Sequence, residues 1–254
     1  MTHSTGRLAH KYALITGATS GIGLETARQF IAEGATLIIT GRDAKKLAAA
    51  KAQLNDQVIT LLSDAASVDN QAKLAQQISQ QVPSLDVVYL NAGDVTHLPL
   101  EQWTPEQFDR VINTNFKAPF FLIQALLPLL KPQTSIIICG SVSLHIGLAQ
   151  SSVYAASKAA TRSLARTLSS ELLPRAIRVN VLSPGPTLTP AFDKLGLDGN
   201  AKTQMIEQIK QLVPLKRLAQ PIELAKAAVY LASDESQFML GSELLLDGGV
   251  LNLS

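Results

Sequence analysis

Short apolar runs alternate with segments of helical periodicity from Lys11 almost to the C-terminus. This alternation is typical of repeated βαβ units. Because the connections are short, the crossovers must be right-handed, and the helices must cover both faces of one parallel sheet. The predicted strands are 12–16, 36–40, 58–62, 86–90, 135–139, 177–182 and 243–246. The predicted helices are 22–33, 43–54, 69–81, 105–130, 153–173 and 221–232.

The pattern predicts one doubly wound α/β (Rossmann) domain over residues 1–254, with a seven-stranded parallel sheet and helices on both faces. No linker, internal repeat or low-complexity segment divides the chain. We expect residues 1–10 to form a flexible N-terminus. The sequence from 183 to about 203 is the one long irregular stretch, so we expect residues 186–215 to form a substrate loop or lid that closes over the ligands.

Composition and charge limit the class of protein. Hydrophobic residues make up 46% of the chain and charged residues 17%, which excludes a disordered protein. The 22 basic and 20 acidic residues are spread evenly, so no patch for nucleic acid is predicted. No segment approaches the roughly 18 apolar residues of a membrane span, and the first apolar run is too short for a signal peptide. We therefore expect a cytoplasmic enzyme or binding protein with no membrane partner.

Cysteine and histidine add no chemistry of their own. The single cysteine, Cys139, lies in an apolar run and is interpreted as a core residue rather than a nucleophile. The four histidines show no paired spacing and no neighbouring cysteines, so no metal site is predicted.

A glycine-rich turn follows the first predicted strand and opens the first predicted helix. Glycines allow the backbone to approach a pyrophosphate, and the N–H groups of a helix N-terminus attract its charge. A Walker A loop is excluded because Lys-Ser/Thr does not follow the last glycine. The turn therefore predicts a dinucleotide-binding site. Its candidate residues are Gly17, Thr19, Ser20, Gly21, Ile22 and Gly23.

The TGxxxGxG spacing of this turn, together with motifs farther along, resembles the short-chain dehydrogenase/reductase family over essentially the whole chain. The further matches are Asn91-Ala92-Gly93, Asn115, Ser141, Tyr154-Ala-Ala-Ser-Lys158, Pro184-Gly185 and Asp247-Gly248-Gly249. The resemblance implies an enzyme that reduces a ketone or aldehyde to an alcohol, or the reverse, by hydride transfer with a nicotinamide cofactor. It also implies cofactor contacts from Asn91, Ala92, Gly93, Tyr154, Lys158, Pro184, Gly185, Thr187 and Thr189.

The predicted catalytic residues can be interpreted chemically. Tyr154 and Lys158 are four residues apart in a helical pattern and so share one helix face. An ammonium near a phenol stabilises the phenolate, which proton transfer at neutral pH requires. The resemblance implies that Ser141 polarises the carbonyl, Tyr154 transfers the proton, Lys158 tunes the tyrosine and binds the ribose, and Asn115 holds a water.

The end of the second strand indicates the cofactor. Gly41 stands where enzymes that use NAD carry an acid for the ribose 2′-hydroxyl. Arg42 can meet a 2′-phosphate, so NADP(H) is predicted, with NAD(H) as the alternative. Asp43 binds a ribose or caps the next helix. Asp64, after the third strand, is expected to contact the adenine with either cofactor.

Three other functions fit the sequence less well. A serine hydrolase is disfavoured because no GxSxG motif is present, and His145 is interpreted as a pocket-wall or packed loop residue. A 3-ketoacyl-carrier-protein reductase needs a basic docking surface near the site entrance, and residues 129–134 carry only Lys131. A non-catalytic NADP-binding sensor would have no reason to retain a proton-transfer group.

Three departures from the family pattern concern geometry rather than chemistry. Leu90 and Gly140 stand where Asn and Ser are frequent, and Pro119 must kink a helix or use a break in it. Residues 214–249, which include Arg217, Leu218, Pro221 and Glu223, resemble the part that relatives use to pack subunits. We therefore expect self-association as a homotetramer or a dimer.

Overall fold

A computed structural model describes residues 6–190, 192 and 199–253. The strands are β1 (Tyr12–Ile15), β2 (Thr36–Gly41), β3 (Ile59–Leu62), β4 (Leu85–Leu90), β5 (Leu130–Cys139), β6 (Arg178–Pro184) and β7 (Glu243–Leu246). Within the described residues they form one parallel sheet in the order β3-β2-β1-β4-β5-β6-β7. Since β1 lies beside β4, the order in which successive strands join the sheet reverses at its centre. The predicted doubly wound fold is confirmed.

The helices are α1 (Gly21–Ala32), α2 (Ala44–Leu54), α3 (Asp69–Ser79), α4 (Pro105–Ile112), α5 (Ala118–Leu126), α6 (Ser152–Leu172), α7 (Gly199–Leu212) and α8 (Pro221–Ala232). Two apolar cores lie on opposite faces of the sheet. α1, α2 and α8 pack on one face, around Phe30 and Tyr89. α3, α5 and α6 pack on the other, around Leu14 and Ile136. The carboxyl ends of the strands therefore meet at one edge between two helical layers.

The prediction of one long helix over residues 105–130 is wrong in its interior. A π turn, Asn113–Lys117, separates α4 from α5, and the chain enters β5 at Leu130. Pro119 lies in the first turn of α5, where its missing N–H removes no helical hydrogen bond. The proline thus uses a break in the helix, and the π turn buries Asn115 beside the sheet.

Of residues 1–10, expected to form a flexible N-terminus, residues 1–5 lie outside the described residues. Within residues 6–10, Leu8 is fully buried and its N–H donates to the Glu33 carbonyl oxygen at 2.9 Å. The helix α7 begins inside the stretch predicted to be irregular up to about residue 203. Residues 191 and 193–198 of the expected lid lie outside the described residues. No helix in the described part of the chain is long and apolar enough to cross a membrane.

Candidate active site

The glycine turn is held by close backbone packing. Gly17 and Gly21 adopt left-handed conformations, with φ of 65° and 58°. A Cβ at Gly23 would lie 2.4 Å from Asn91 Nδ2 and 2.7 Å from the Gly17 oxygen. Asn91 Nδ2 itself donates to the carbonyl oxygens of Thr16 and Gly17 at 3.1 Å each. Asn91 therefore fastens the turn to the end of β4.

This turn fits a dinucleotide. Ser20 precedes α1, and its side chain makes no capping hydrogen bond, so the first-turn N–H groups are left for an anion. A Cβ at Gly17 would lie 2.8 Å from the Ala92 Cα, and one at Gly21 would lie 3.3 Å from the Thr189 Cβ. Side chains at the glycine positions would fill the cradle.

The packing at the end of β2 explains why no acidic residue stands at position 41. A Cβ at Gly41 would lie 2.5 Å from the Thr19 Cγ2, so the Thr19 methyl group occupies the space that an acidic side chain would need. Asp43 caps α2, accepting from two first-turn N–H groups at 2.9 and 3.0 Å. Of the two roles expected for Asp43, the structure shows the cap. Arg42 is exposed beside this strand end.

Lys158 and Tyr154 lie one turn apart on α6, as predicted. The Lys158 ammonium is buried and donates to the Cys139 carbonyl oxygen at 2.7 Å. It also lies 5.8 Å from the centre of the Tyr154 ring. A buried ammonium needs such partners, and here the partner is the last backbone carbonyl of β5. The sequence did not indicate this carbonyl, because any residue type supplies one.

Ser141 directly follows β5 and Gly140, and it is buried. Its Oγ accepts hydrogen bonds from the Ser143 N–H at 3.2 Å and from the Ser143 hydroxyl at 2.9 Å. Since Ser141 accepts in both contacts, neither of them uses its own hydroxyl proton.

Asn115 joins the loop after β4 to the catalytic helix. Its Oδ1 accepts from the Asp94 N–H at 2.7 Å, and its Nδ2 donates to the Asp94 carbonyl oxygen at 2.9 Å and to Ser157 Oγ at 3.0 Å. A Cβ at Gly93 would lie 3.5 Å from Asn115 Oδ1 and 3.7 Å from Lys158 Nζ. Gly93 thus lies in van der Waals range of both side chains, with room for a Cβ. The water-holding role of Asn115 stays a prediction.

The same loop brings an ion pair to the site. Arg110 Nε donates to an Asp94 carboxylate oxygen at 2.8 Å. Burial acts to raise the pKa of Asp94, but hydrogen bonds from Thr96 and Arg110 outweigh it, and the pKa is lowered. Asp94 is therefore ionised at neutral pH and stiffens the loop that Asn115 holds.

His97 is a residue that the sequence did not place in the site. Its ring meets the Tyr154 ring edge-on, with centroids 5.1 Å apart, and its Nδ1 lies 2.7 Å from Ser151 Oγ. Burial lowers the pKa of His97, so the ring is neutral at pH 7. Its position shortly after β4 was the available signal, since ligands bind at such strand ends.

The remaining predicted cofactor residues lie along the same edge of the sheet. A Cβ at Gly185 would lie 2.5 Å from the Asp247 Cα, so the Pro184-Gly185 turn is packed against the C-terminal segment. Thr187 is buried, and its hydroxyl donates to the Gly185 oxygen at 2.9 Å. Asp64 follows β3 and accepts from the Ala66 N–H at 3.0 Å.

Two further expectations concern histidine. His145 Nε2 lies 2.9 and 3.0 Å from the two carboxylate oxygens of Glu243, so this exposed loop histidine is held by the carboxylate. Among the described residues, no group of His, Cys, Asp and Glu side chains is arranged to hold a metal ion.

Comparisons with known proteins agree with this geometry. Residues 17–251 match the family described as "Enoyl-(Acyl carrier protein) reductase". The chain is 40% identical over 250 residues to "Oxidoreductase asL5" of Sarocladium schorii, covering 97% of this chain and 98% of the relative. It is 34% identical to the "3-oxoacyl-[acyl-carrier-protein] reductase FabG" of Thermotoga maritima, covering 96% and 99%.

A solved structure is similar over the same length. The "Pseudomonas aeruginosa RhlG/NADP active-site complex" superposes with a TM-score of 0.90 at 30% identity, covering 99% of this chain and 100% of that one. Fold and site define an oxidoreductase of the Rossmann class. The chain belongs to the short-chain dehydrogenase/reductase family.

Proposed function

We propose that this protein is an NADP(H)-dependent oxidoreductase that reduces a ketone or aldehyde to an alcohol, or catalyses the reverse, with Tyr154 as general acid and base. The observation that carries the proposal is the position of the buried Lys158 ammonium, 2.7 Å from the last carbonyl oxygen of β5 and 5.8 Å from the Tyr154 ring. The phenol and the ammonium that the proposed proton transfer requires thus lie one turn apart on α6.

Each side chain has a separate role in the proposed reaction. Ser141 donates its hydroxyl proton to the substrate oxygen and holds the carbonyl in place. Tyr154 transfers its proton to that oxygen as negative charge develops there, and Lys158 stabilises the resulting phenolate. A bound nicotinamide supplies or accepts the hydride. In the reverse direction Tyr154 takes the proton from the alcohol.

The preference for NADP(H) rests on the end of β2. The Thr19 methyl group excludes an acid at position 41, and Asp43 is engaged as a helix cap. Arg42 is exposed at this place and carries planar, charge-assisted donors that suit a 2′-phosphate. Each such bond contributes about 1.5–3 kcal/mol, which corresponds to a preference of about ten- to a hundredfold. The similar solved complex is named for NADP.

Tyr154→Phe tests the acid and base role. NADPH consumption with a panel of ketones and aldehydes should fall by about a hundredfold or more, while NADPH binding stays near the wild-type value. Tyr12→Phe, at the opposite end of the sheet, is the matched control and should keep its activity. Turnover that survives in Tyr154→Phe would refute the assignment, and NADPH binding without any turnover in the wild type would favour a sensor.

Arg42→Ala tests the cofactor assignment. We expect NADPH affinity to fall by about ten- to a hundredfold while NADH affinity changes little. Arg166→Ala removes an exposed guanidinium on α6 and serves as control. A wild type that prefers NADH, or an Arg42→Ala variant with unchanged NADPH preference, would contradict the assignment.

Reduction of a 3-ketoacyl group on a carrier protein is the second candidate, because relatives carry that name. Lys131, however, lies near the start of β5, at the other end of the strand from Ser141. Its ammonium is paired with an Asp86 carboxylate oxygen at 2.6 Å. Within one chain, residues 129–134 therefore do not flank the site, and their single lysine does not distinguish a carrier-bound from a free carbonyl substrate.

Self-association as a homotetramer or dimer, and action in the cytoplasm, belong to the same proposal. In the segment expected to pack subunits, Arg217 donates to both Glu223 carboxylate oxygens, at 2.7 and 2.8 Å, and Leu218 is buried. These contacts give the segment a fixed local shape. A monomer by light scattering at micromolar concentration would contradict this part.

A further inference from the structure

One buried carboxylate lies just behind the site and has no part in the chemistry above. Glu243 is the first residue of β7, and its side chain is 8% exposed. It accepts a hydrogen bond from the Ser183 hydroxyl, contacts His145 Nε2 at 2.9 Å, and accepts from Arg162 Nε at 2.8 Å. The three partners come from three separate elements: the end of β6, the loop after β5, and α6.

Two of these partners, His145 and Arg162, lie within one turn of a proposed catalytic residue. His145 follows Ser141 by one turn of the loop, whose Leu144 N–H donates to the Ser141 carbonyl oxygen at 3.2 Å. Arg162 lies on α6 one helical turn beyond Lys158 and so shares its face. A single carboxylate therefore joins the serine loop and the catalytic helix to the edge of the sheet.

The third partner accounts for Gly140, one of the departures from the family pattern. A Cβ at Gly140 would lie 2.2 Å from Ser183 Oγ and 2.6 Å from Val181 Cγ1. The Ser183 hydroxyl, which Glu243 orients, thus occupies the space that a serine at position 140 would need. Gly140 leaves room for the Ser183 hydroxyl, and that hydroxyl donates to Glu243.

The negative charge of Glu243 is stabilised by the hydrogen bonds that its neighbours donate. Burial acts to raise the pKa of Glu243, but hydrogen bonds from Ser183, His145 and Arg162 outweigh it, and the pKa is lowered. Arg162 Nη1 is buried without a partner, so the guanidinium relies on its Nε contact with Glu243. Removing one charge of a buried pair leaves the other uncompensated.

We propose that Glu243 is a positioning residue for the hydride-transfer site, because its carboxylate holds the Ser141 loop and the helix of Tyr154 and Lys158 in register. The inference rests on the function proposed above. A purely structural role would lower stability and all activities together. A positioning role lowers kcat while cofactor binding, which depends on the glycine turn, is retained.

Glu243→Gln keeps the shape of the side chain and removes its charge. We expect kcat to fall about tenfold, the equivalent of one lost charge-assisted hydrogen bond, with the NADPH dissociation constant within about twofold of wild type. The matched control is Glu33→Gln, which replaces one of the two carboxylate oxygens that accept from the Arg7 N–H at 2.9 Å and Arg7 Nε at 3.0 Å, at the far end of α1. The control should lose stability and keep its kcat.

Hydrogen exchange supplies a readout that needs no turnover. In Glu243→Gln the N–H groups of Leu144 and His145, which are hydrogen-bonded within the serine loop, should exchange faster than in wild type. An absence of turnover in the wild type would count against the proposed function, while the exchange data would still test Glu243. Unchanged exchange in this loop, or an unchanged kcat in an active enzyme, would overturn the proposal.

Two more variants keep the test decisive if Glu243→Gln does not fold. His145→Ala removes only the loop contact and should speed exchange over residues 141–148 and lower kcat, with α6 unaffected. In the double variant Glu243→Gln/Arg162→Gln the uncompensated guanidinium is gone, and part of the lost kcat should return. A kcat for His145→Ala equal to wild type would overturn the proposal.

Discussion

The proposed cofactor side of this site (the glycine turn with α1 and α8) and the proposed substrate side (α7 and the residues after it) are built differently. α8, which packs with α1 beneath the glycine turn, buries seven residues, whereas α7, fully described from Gly199 to Leu212, buries none. Leu212 is 65% exposed and Leu215 is 62% exposed. The cofactor side consists of close backbone contacts that admit few residue types. The substrate side carries apolar side chains at its surface, where sequence can change substrate choice without disturbing the fold.

The largest expected effect compares the two helices directly. Leu224→Ala in α8 removes a side chain with no exposed surface and should lower the free energy of unfolding by about 2–5 kcal/mol. Leu212→Ala in α7 removes an exposed side chain and should change it by less than about 0.5 kcal/mol. Urea denaturation measures both values. Equal losses would show that α7 is packed as firmly as α8.

Smaller effects on stability are expected when either of two glycines is replaced by alanine. Gly23→Ala forces a Cβ against Asn91 Nδ2 and the Gly17 oxygen, which should cost about 1–3 kcal/mol and weaken NADPH binding. Gly199→Ala has no atom within 4 Å of the added Cβ and should be neutral or stabilise by up to about 1 kcal/mol. Thermal unfolding and NADPH titration distinguish them. Tight NADPH binding by Gly23→Ala would contradict a cradle that tolerates no side chain.

The smallest effect is a dependence of stability on pH that comes from the buried Glu243 carboxylate. Because the pKa of Glu243 is lower in the folded chain than its ordinary value of 4.5, the carboxylate stabilises the fold fully above that value. This stabilisation is lost as the pH falls through the lowered pKa. Below pH 4.5, unfolding free energies should therefore decline more steeply for wild type than for Glu243→Gln. Parallel curves would contradict an ionised, bonded Glu243.

The sequence predicted most of the fold, because buried parallel strands are continuous apolar runs that surface helices do not imitate. The run at 243–246 is β7 itself, and the helix predicted at 221–232 is α8. The π turn at Asn113–Lys117 escaped prediction because its residues continue the pattern of the flanking helices. The helix α7 (Gly199–Leu212) was not among the predicted helices, because its first residues, 199–203, are mostly polar and the segment was interpreted as part of a loop.

The site was predicted where the chemistry depends on side-chain type and spacing. Tyr154 and Lys158 share a helix face as their spacing requires. The Cys139 carbonyl could not be foreseen, since a backbone oxygen has no sequence signature. Glu243 was also missed, because its three partners are far apart in the chain and only the sheet order brings them together.

The central claim is hydride transfer to a carbonyl carbon, and one measurement tests it directly. NADPH deuterated at both C4 positions of the nicotinamide is incubated with the protein and a carbonyl compound that it turns over, and the alcohol is analysed by mass spectrometry and NMR. The account predicts one deuterium on the former carbonyl carbon and none on the hydroxyl, which exchanges with water. An alcohol without deuterium at that carbon would contradict it.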